Sequence, residues 1–363
     1  MNIVLLVDSL GFGGAQRQIV NLAVELKKQG HKISFLRYRR DDFYLSLLNE
    51  NGIEPITIEE GNLLVRAWRI RKMIHALAPS TVISFMDAPN VYACIASIGH
   101  HSWRLFISER VANENAFLGR RGRVLKRFQG KYSDRIVCNS KCAEELWKKY
   151  FPQFSTKINT IYNIIDVPHI KTEYSTDGKC RILIAARYEP VKNVSGMIEA
   201  VSLLTPAERE LLEIHWYGKA NVVKDGLSDF EKGKALVKEL GLSDCIFLHP
   251  ATDQIYPLIA KTDFIGLFSF AEGFPNSIIE GMSYKKPVIM SRVSDYNVIV
   301  DEENGFLFDP NVSEDIAAAL RCAIHTTHAQ REAMGQCSYE KIQKKCSVAA
   351  VVEQWNALLN WKH

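Results

Sequence analysis

Two glutamates in the last third of the chain stand where a ligand could bind. Glu272 and Glu280 lie eight residues apart in the stretch EGFPNSIIE, after an apolar run, 263–270, that has the pattern of a buried strand. Carboxylates suit phosphate poorly, but they accept hydrogen bonds from hydroxyl groups. The pair therefore suggests a site for a sugar or a ribose. The alternative is a surface loop followed by an ordinary helical glutamate.

The residues between the two glutamates predict the start of a helix. Residues 277–284 are expected to be helical, Pro275 suits a helix start, and Asn276 or Ser277 could cap it. The free N–H groups of a first helical turn, together with the helix dipole, attract anions. An anion site is therefore expected beside the two carboxylates.

Polar side chains also follow two other strands of the second half. Arg187 and Lys192 come after the strand predicted at 180–186, and His249 ends another strand. The carboxyl ends of parallel strands share one edge of a sheet, so these side chains should lie near the glutamates. Two cations suit a diphosphate, and the whole set describes a pocket for a sugar nucleotide. The alternative for the cations is a surface pair with Glu189.

The composition indicates a globular protein of two domains. The 363 residues are 47% hydrophobic and 24% charged, and no apolar run reaches the ~18 residues of a membrane-spanning helix. The first ten residues lack a basic segment and carry Asp8, so we expect a buried strand and not a signal peptide. Scattered cysteines without a C-x-x-C pair favour free thiols in a reducing cytoplasm, with no disulfide and no metal site. They are Cys94, Cys138, Cys142, Cys180, Cys245, Cys322, Cys337 and Cys346.

Positive charge is concentrated in the first half of the chain. Residues 1–168 hold 24 Lys and Arg against 15 Asp and Glu, whereas residues 169–363 hold 21 against 26. Part of the excess lies in a predicted basic helix at 119–132, which could be a solvated face or could lie on anionic lipid. Nucleic acid is a third option with less support, because no aromatic platform or known motif accompanies the helix. Its basic residues are Arg120, Arg121, Arg123, Lys126, Arg127 and Lys131.

The first half opens with a strand, a glycine-rich turn, a helix and a second strand. The strands are predicted at 2–7 and 33–38, the turn at 11–14, and the helix at 15–29, which Gly30 ends. This unit is typical of the beginning of a doubly wound parallel sheet.

The glycine-rich turn matches a dinucleotide-binding fingerprint only in part. Gly11 and Gly13 fit the first glycines of G-x-G-x-x-G, but Gln16 occupies the third position. The second strand ends among arginines, where an acid for a ribose would be needed. An NAD-dependent dehydrogenase is therefore disfavoured, and a backbone nest that approaches a phosphate stays open.

The same alternation of strands and helices continues along the chain. Periodicity is lost at 166–178, which is predicted to be a linker, and 347–361 is predicted to be a final amphipathic helix. We therefore expect two similar α/β halves in tandem. Further strands are predicted at 81–85, 104–108, 135–138, 158–162, 214–217, 245–249, 264–269, 287–291 and 305–308.

With these motifs in place, the chain resembles the retaining glycosyltransferases of family four. The shared features are Gly-Gly after the first strand, R-x-x-x-x-K after the first strand of the second half, and E-G-F-P-N-S-x-x-E near the end. The resemblance covers essentially the whole chain and implies the GT-B fold, with two Rossmann-like doubly wound domains facing a central cleft. It assigns residues 1–168 to an N-terminal acceptor domain, on which the helix at 347–363 packs back, and residues 177–346 to a C-terminal nucleotide-sugar donor domain.

The resemblance gives the motif side chains roles on the donor. Arg187 and Lys192 match the family's cations on the diphosphate, and they also serve catalysis by offsetting leaving-group charge without a metal ion. Glu272 matches the glutamate that binds the donor-sugar hydroxyls, and Glu280 matches the one on the nucleotide ribose. The segment near His249 is implied to line the nucleobase.

Backbone groups complete the implied donor site. The backbone at Phe274, Asn276 and Ser277 would reach the sugar and the phosphate. Gly13 and Gly14 match the glycine loop of the first domain that faces the cleft. The family needs no metal and no cofactor beyond the sugar nucleotide itself, in agreement with the absence of a D-x-D motif at any suitable place in the sequence.

The sequence departs from the family pattern in the first domain. Many members carry a histidine near the reacting centre of the sugar, but the corresponding strand end here reads ISER, residues 107–110. Glu109 is the candidate catalytic residue at this place, and Asp87, at the end of the preceding strand, is the other side chain that could orient the acceptor. A retaining front-face reaction can use the leaving phosphate oxygen as its base, so no protein base is strictly required.

The predicted activity is the transfer of a hexose or N-acetylhexosamine, with retention, to a hydroxyl of a saccharide. UDP is the expected nucleotide, and the acceptor is expected to be lipid-linked or phosphate-bearing, in surface polysaccharide or glycan biosynthesis. The expected location is cytoplasmic, peripheral on the inner face of the cell membrane, with no nucleic-acid partner. A UDP-sugar epimerase of the same architecture and a non-catalytic sugar-nucleotide-binding protein are the alternatives.

Overall fold

The chain divides into two compact units in the computed structural model, which describes residues 1–112, 114–220 and 226–361. The first unit is Met1–Asp166 with Ser347–His363, and the second is Val167–Cys346. Each unit has its own parallel sheet, with strand order β3-β2-β1-β4-β5-β6-β7 in the first and β10-β9-β8-β11-β12-β13 in the second. The prediction of two doubly wound α/β domains is confirmed.

The central strands of the first unit are mostly apolar because helices cover both faces of a parallel sheet. Val4, Leu5 and Leu6 of the first strand have no exposed surface at all. The strands are β1 (Asn2–Leu6), β2 (Lys32–Arg37), β3 (Ile56–Thr57), β4 (Thr81–Phe85), β5 (Arg104–Glu109), β6 (Arg135–Cys138) and β7 (Ile158–Thr160). The strand order reverses between β1 and β4, which in this class of sheet marks the ligand-binding edge.

The helices of the first unit connect these strands. They are α1 (Gly14–Lys28), α2 (Leu45–Glu50), α3 (Leu63–Leu77), α4 (Asp87–Ala96), α5 (Asn115–Leu118), α6 (Arg120–Tyr132) and α7 (Lys141–Tyr150). Gly13 is the extended N-cap of α1, and Gly30 follows its end with φ of 83°, the left-handed conformation that glycine adopts without strain. The Ser140 hydroxyl accepts from the Ala143 N–H and caps α7.

The second unit repeats the architecture. Its strands are β8 (Cys180–Ala185), β9 (Leu212–Gly218), β10 (Ile246–Pro250), β11 (Phe264–Leu267), β12 (Val288–Ser291) and β13 (Gly305–Phe308). Its helices are α8 (Val194–Ser202), α9 (Pro206–Glu210), α10 (Asp229–Glu239), α11 (Ile255–Ala260), α12 (Asn276–Ser283), α13 (Tyr296–Ile299), α14 (Ser313–His325) and α15 (His328–Cys346). The order of its sheet reverses between β8 and β11, so the ends of these two strands flank its ligand-binding edge.

The last helix, α16 (Val348–Leu359), belongs to the first unit. Val351, Trp355 and Leu359 are buried in the same apolar cluster as residues of β1 and α1. The Arg104 guanidinium donates to the carbonyl oxygens of Leu359 (2.7 Å) and Trp361 (2.6 Å), which fixes the end of the helix.

Residues 167–178 are not a free linker in the structure. The Thr172 hydroxyl donates to the Tyr284 carbonyl oxygen at 2.8 Å, and the Ser175 N–H donates to the Asp263 carboxylate at 2.8 Å. The segment lost its periodicity because it crosses the surface of the second unit through polar contacts, not because it is detached. Within the described residues, no helix combines the length and hydrophobicity needed to cross a bilayer.

Candidate functional site

Glu272 lies in the loop between β11 and α12 and is engaged by two side chains. Lys192 Nζ is 2.6 Å from Glu272 Oε1, and the Ser269 hydroxyl donates to the same oxygen at 2.7 Å. The carboxylate is 14% exposed and the lysine 16% exposed, so the ion pair is screened from water on most sides. The structure therefore brings together two residues that sequence analysis placed at the ends of different strands.

The start of α12 differs from the prediction in how it is capped. Pro275 itself is the N-cap and makes no side-chain cap hydrogen bond, whereas Asn276 or Ser277 was expected to cap the helix. The helix begins at Asn276, so both residues have become its first helical positions. The N–H groups of a first helical turn, together with the helix dipole, suit an anion.

Glu280 lies in the second turn of α12 and is 7% exposed. Its helix packs tightly on β11 because Gly281 faces Ile265, where an added Cβ would come within 2.6 Å of the isoleucine side chain. A side chain larger than hydrogen at this position would push the helix off the strand. Glycine therefore sets how close the helix start comes to the strand end.

Arg187 and Lys192 follow β8; Arg187 precedes a 3₁₀ turn at Pro190–Lys192, and Lys192 is the last residue of that turn. Arg187 is 61% exposed and pairs with Glu189 at 2.8 Å, so the surface pair considered as the alternative does form for this residue. Lys192 instead turns toward Glu272. The Phe270 N–H donates to the Val191 carbonyl oxygen at 2.8 Å and ties the two loops together.

His249 belongs to an aromatic stack on β9 and β10. Its ring is 4.3 Å from the Tyr217 ring, centroid to centroid, and its Nε2 is 3.1 Å from His215 Nδ1. Burial, followed by the nearby Lys234 charge, lowers the pKa of His249, so the imidazole is biased toward its neutral form. His215 and Tyr217 were not among the predicted site residues, although their alternate spacing on β9 is visible in the sequence. A stack of this kind offers a planar surface on which a nucleobase could rest.

Gly13 and Gly14 lie at the start of α1 in the first unit. An added Cβ on Gly13 would come within 2.2 Å of the Gln16 side-chain oxygen, so only glycine fits there without a shift. The Gln16 amide donates to Asp8 Oδ1 at 3.0 Å and lies 3.8 Å from the Met86 sulfur. Gln16, the residue that departs from the dinucleotide fingerprint, therefore packs its side chain against the glycine turn.

Glu109 ends β5, but its carboxylate points into the protein. It forms a short ion pair with Lys126 and accepts from the Trp147 indole N–H at 3.1 Å, with a side chain that is 6% exposed. Burial raises the pKa of Glu109, against the opposing effect of the Lys126 charge. Among the candidate carboxylates of this edge, Asp87 is the one that solvent reaches, with 58% of its side chain exposed.

The basic helix is confirmed as α6, but one of its cations does not belong to the exposed face. Lys126 is 3% exposed and turns inward, whereas Arg120, Arg121, Arg123 and Arg127 are exposed. The sequence does not set Lys126 apart from the arginines, because charge alone does not show which basic residues have a buried partner.

Comparison with known proteins decides the family. Residues 12–168 match the family model described as Glycosyltransferase Family 4, and residues 169–341 match the model described as Glycosyl transferases group 1. The chain belongs to glycosyltransferase family four. The resemblance stated from its motifs is confirmed, and an NAD-dependent dehydrogenase is excluded.

Two glycosyltransferases of Campylobacter jejuni align over most of the chain. A Campylobacter jejuni alpha-1,4-N-acetyl-D-galactosaminyltransferase named for the acceptor GalNAc-alpha-(1->4)-GalNAc-alpha-(1->3)-diNAcBac-PP-undecaprenol is 24% identical, over 99% of this chain and 98% of that protein. A second enzyme of that organism, an N-acetylgalactosamine-N,N'-diacetylbacillosaminyl-diphospho-undecaprenol 4-alpha-N-acetylgalactosaminyltransferase, is 26% identical over 87% of this chain and 88% of that protein.

Solved structures of the GT-B type share the fold. Anabaena HepE in complex with UDP and glucose superposes with a TM-score of 0.84 and 17% identity, covering 99% of both chains. The lipopolysaccharide outer core galactosyltransferase WaaB gives a TM-score of 0.75 at 19% identity, again over 99% of both chains. This family-four protein is therefore a glycosyltransferase of GT-B architecture that uses a nucleotide sugar. Among its described residues, no group of three or more His, Cys, Asp and Glu side chains is placed to hold a metal ion.

Proposed function

We propose that the protein transfers an N-acetylhexosamine or hexose from a UDP-sugar, with retention of configuration, to a hydroxyl of a lipid-linked saccharide. The observation that carries this proposal is the contact of Lys192 with Glu272 beside the first turn of α12. The Lys192 ammonium can bind a phosphate, and the Glu272 carboxylate can accept hydrogen bonds from sugar hydroxyls. The two groups lie 2.6 Å apart, as expected where the sugar of a donor is joined to its diphosphate.

The donor diphosphate is proposed to lie against Arg187 and Lys192. Arg187 is exposed and free to exchange Glu189 for a phosphate, because exposed ion pairs contribute little to stability. Lys192 stays between Glu272 and the leaving phosphate and offsets the negative charge that develops there. These cations make the reaction independent of a metal ion, and the leaving phosphate oxygen takes the proton of the acceptor on the same face, which gives retention.

The remaining donor contacts follow from the same edge of the sheet. Glu272 accepts hydrogen bonds from sugar hydroxyls, and Glu280 does so from the ribose. Backbone groups at Phe274, Asn276 and Ser277 reach the sugar and phosphate. His249 lines the base, and Gly13 and Gly14 of the first unit let its backbone approach the donor. No nucleic-acid partner and no cofactor enter this scheme.

The proposed acceptor is an undecaprenyl-type lipid-linked saccharide, as in the names of both Campylobacter relatives. An acceptor of that kind places the protein on the cytoplasmic face of the cell membrane, in surface polysaccharide or glycan assembly. A surface of the first unit supports this proposal of membrane binding, because α6 exposes Val124 and Leu125 among its arginines. On α3, Leu64 is 81% and Trp68 59% exposed, next to the Lys72 ammonium. Exposed apolar side chains mixed with cations suit an anionic bilayer surface.

The membrane proposal predicts a loss of lipid binding when the charge of α6 is removed. Replacing Arg120, Arg121 and Arg123 by Ser should reduce binding to vesicles with a high content of anionic lipid by about two orders of magnitude, since each basic residue near such a surface contributes ~1 kcal/mol. Sedimentation with vesicles measures this. The matched control replaces three exposed lysines of the second unit, Lys238, Lys344 and Lys345, by Ser and should change little. Equal binding by the α6 variant and the wild type would mean that these arginines form an ordinary solvated face.

The donor proposal predicts selective binding of one nucleotide. In calorimetric titrations with UDP, GDP, ADP and NAD, UDP should bind with the highest affinity. Arg187→Ala should weaken UDP binding about 10- to 100-fold, as expected for the loss of a hydrogen bond between charged groups. Arg181→Ala, which removes an arginine of β8 that pairs with Asp177 and Glu213, is the matched control. Binding of GDP or ADP in preference to UDP would change the proposed donor. Equal affinities of Arg187→Ala and Arg181→Ala for UDP would show that Arg187 does not contact the nucleotide.

A further inference from the structure

At the carboxyl edge of the first unit's sheet, an exposed carboxylate is held by a buried ammonium group. Lys126 Nζ is 2.6 Å from Asp87 Oδ1, and it also forms the short ion pair with Glu109. The exposed fractions run from 58% for the Asp87 side chain to 3% for Lys126 and 6% for Glu109. The cluster thus extends from the interior to the surface and ends at Asp87.

The buried part of this cluster is enclosed by side chains and carries an ammonium group. Burial alone would lower the pKa of Lys126, but the attraction of Glu109 and Asp87 outweighs it and the pKa is raised, so the lysine remains an ammonium. The rings of Phe117 and Trp147 lie 5.5 and 5.6 Å from Nζ and close around it. A buried lysine with two carboxylates and two rings around it has few alternative positions, so it fixes the carboxylate at its outer end.

The backbone that presents Asp87 is also held in an unusual conformation. Met86, which links β4 to α4, has φ of 77° and ψ of 161°, a region that side chains other than glycine rarely adopt. The Asn90 amide donates to the Ser108 carbonyl oxygen at 3.0 Å and accepts from the Ser84 hydroxyl at 2.7 Å, which holds the first turn of α4 against the strand ends. The surrounding structure thus maintains a strained link directly before an exposed carboxylate.

One oxygen of this carboxylate is available for a ligand. Oδ1 receives Lys126 and, at 3.4 Å, the Gln129 amide, whereas Oδ2 receives no hydrogen bond from any described residue. Glu109 cannot play this part, since its carboxylate is buried against Lys126 and Trp147. The edge of the sheet therefore offers one exposed hydrogen-bond acceptor of fixed orientation where the family histidine is missing.

We propose that Asp87 accepts a hydrogen bond from a hydroxyl of the saccharide acceptor, and that Lys126 and Glu109 are positioning residues that fix its orientation. The inference rests on the proposed function, because it needs a hydroxyl acceptor bound at the first unit. Asp87 orients the sugar ring, so that the reacting hydroxyl keeps its position while the leaving phosphate oxygen takes the proton.

The test compares Asp87→Asn with the wild type on N-acetylgalactosaminyl-diacetylbacillosaminyl-diphospho-undecaprenol, the acceptor named for a relative. With a UDP-sugar donor at saturation, kcat/KM for the acceptor should fall about 10- to 100-fold through a rise in the acceptor KM, as expected when a hydrogen bond to a charged group is lost. Donor affinity and melting temperature should not change. Asp301→Asn is the matched control, because Asp301 is 55% exposed and also pairs with a lysine, Lys341.

A second variant separates positioning from folding. Lys126→Met alone leaves Glu109 buried without its cation and is expected to unfold the unit in part. The double variant Lys126→Met with Glu109→Gln removes both charges. It should fold and bind UDP, yet show the same rise in the acceptor KM as Asp87→Asn. A merely structural role would leave the acceptor KM of this folded variant at the wild-type value.

The outcomes distinguish the inference from the function on which it rests. Normal acceptor kinetics in Asp87→Asn or in the folded double variant would overturn the inference and leave the transferase proposal intact. Failure of the wild type to transfer sugar to this lipid-linked saccharide, to its longer GalNAc-extended form or to a simple saccharide would overturn the proposed acceptor and the inference together. Binding of UDP in that case would still support the donor site.

Discussion

Glu272→Gln is expected to lower kcat by about 10²- to 10³-fold, the range observed when one group that stabilises a transition state is removed. The affinity for UDP itself should remain within about threefold, because Glu272 is assigned to the sugar and not to the nucleotide. The amide keeps the shape of the side chain but loses the charge that Lys192 and Ser269 now share. Steady-state kinetics with the UDP-sugar, together with calorimetry with UDP, measure both effects.

A second glutamate of the same edge provides the control for this experiment. Glu189→Gln removes the partner of Arg187, which is the other cation proposed to bind the diphosphate. It should change kcat less than about threefold, since exposed ion pairs contribute little. Unchanged turnover in Glu272→Gln would show that this carboxylate is a structural partner of Lys192 and not a sugar ligand.

The largest effect on stability is expected from Asp263→Asn, at the start of β11. Asp263 has no exposed surface, and its carboxylate accepts from the N–H groups of Ser175 and Arg181, each at 2.8 Å, and pairs with Arg331 at 3.1 Å. Arg331 is itself buried, so an uncharged partner leaves a guanidinium without compensation. Breaking a buried ion pair in this way costs about 3–5 kcal/mol.

The effect should be visible in both denaturant and thermal unfolding. A loss of this size lowers the melting temperature of a unit of this length by about 6–20 °C, since each kcal/mol corresponds to ~2–4 °C. Asp177→Asn removes the exposed partner of Arg181 and should cost less than about 1 kcal/mol. If the two variants had the same melting temperature, the buried carboxylate of Asp263 would contribute less to stability than its contacts indicate.

Much of the fold was predictable because buried strands are continuous apolar runs. The bounds of β4, β6 and β13 were predicted to the residue. The long helix α15 was not predicted, since the residues that it buries include Arg331, Gly335 and Ser338 and so form no apolar stripe. A periodicity argument detects only helices that bury hydrophobic side chains.

The donor-side residues were predictable for a different reason from those of the acceptor side. On the donor side, strand ends and a helix start bring chemically distinct residues to one edge, and their types already suggest a ligand. On the acceptor side, the sequence showed Glu109 and Asp87 alike as carboxylates after strands. Only the position of Lys126, one cation among six in α6, shows that Glu109 is occupied inside the protein and that Asp87 is exposed. Burial of that kind depends on tertiary packing, which local sequence does not specify.

The position of α16 has a consequence for synthesis on the ribosome. The core of the first unit contains Val351, Trp355 and Leu359, which are translated after the whole of the second unit, Val167–Cys346. Synthesis of the first unit therefore begins first, but its core can be completed only after the second unit has been translated. Until α16 is translated, the apolar surface that it covers stays exposed on the nascent sheet. Chaperones can bind this surface, and other segments of the chain can pack on it incorrectly. The second unit, by contrast, is contiguous in sequence and can be completed while the chain is still growing.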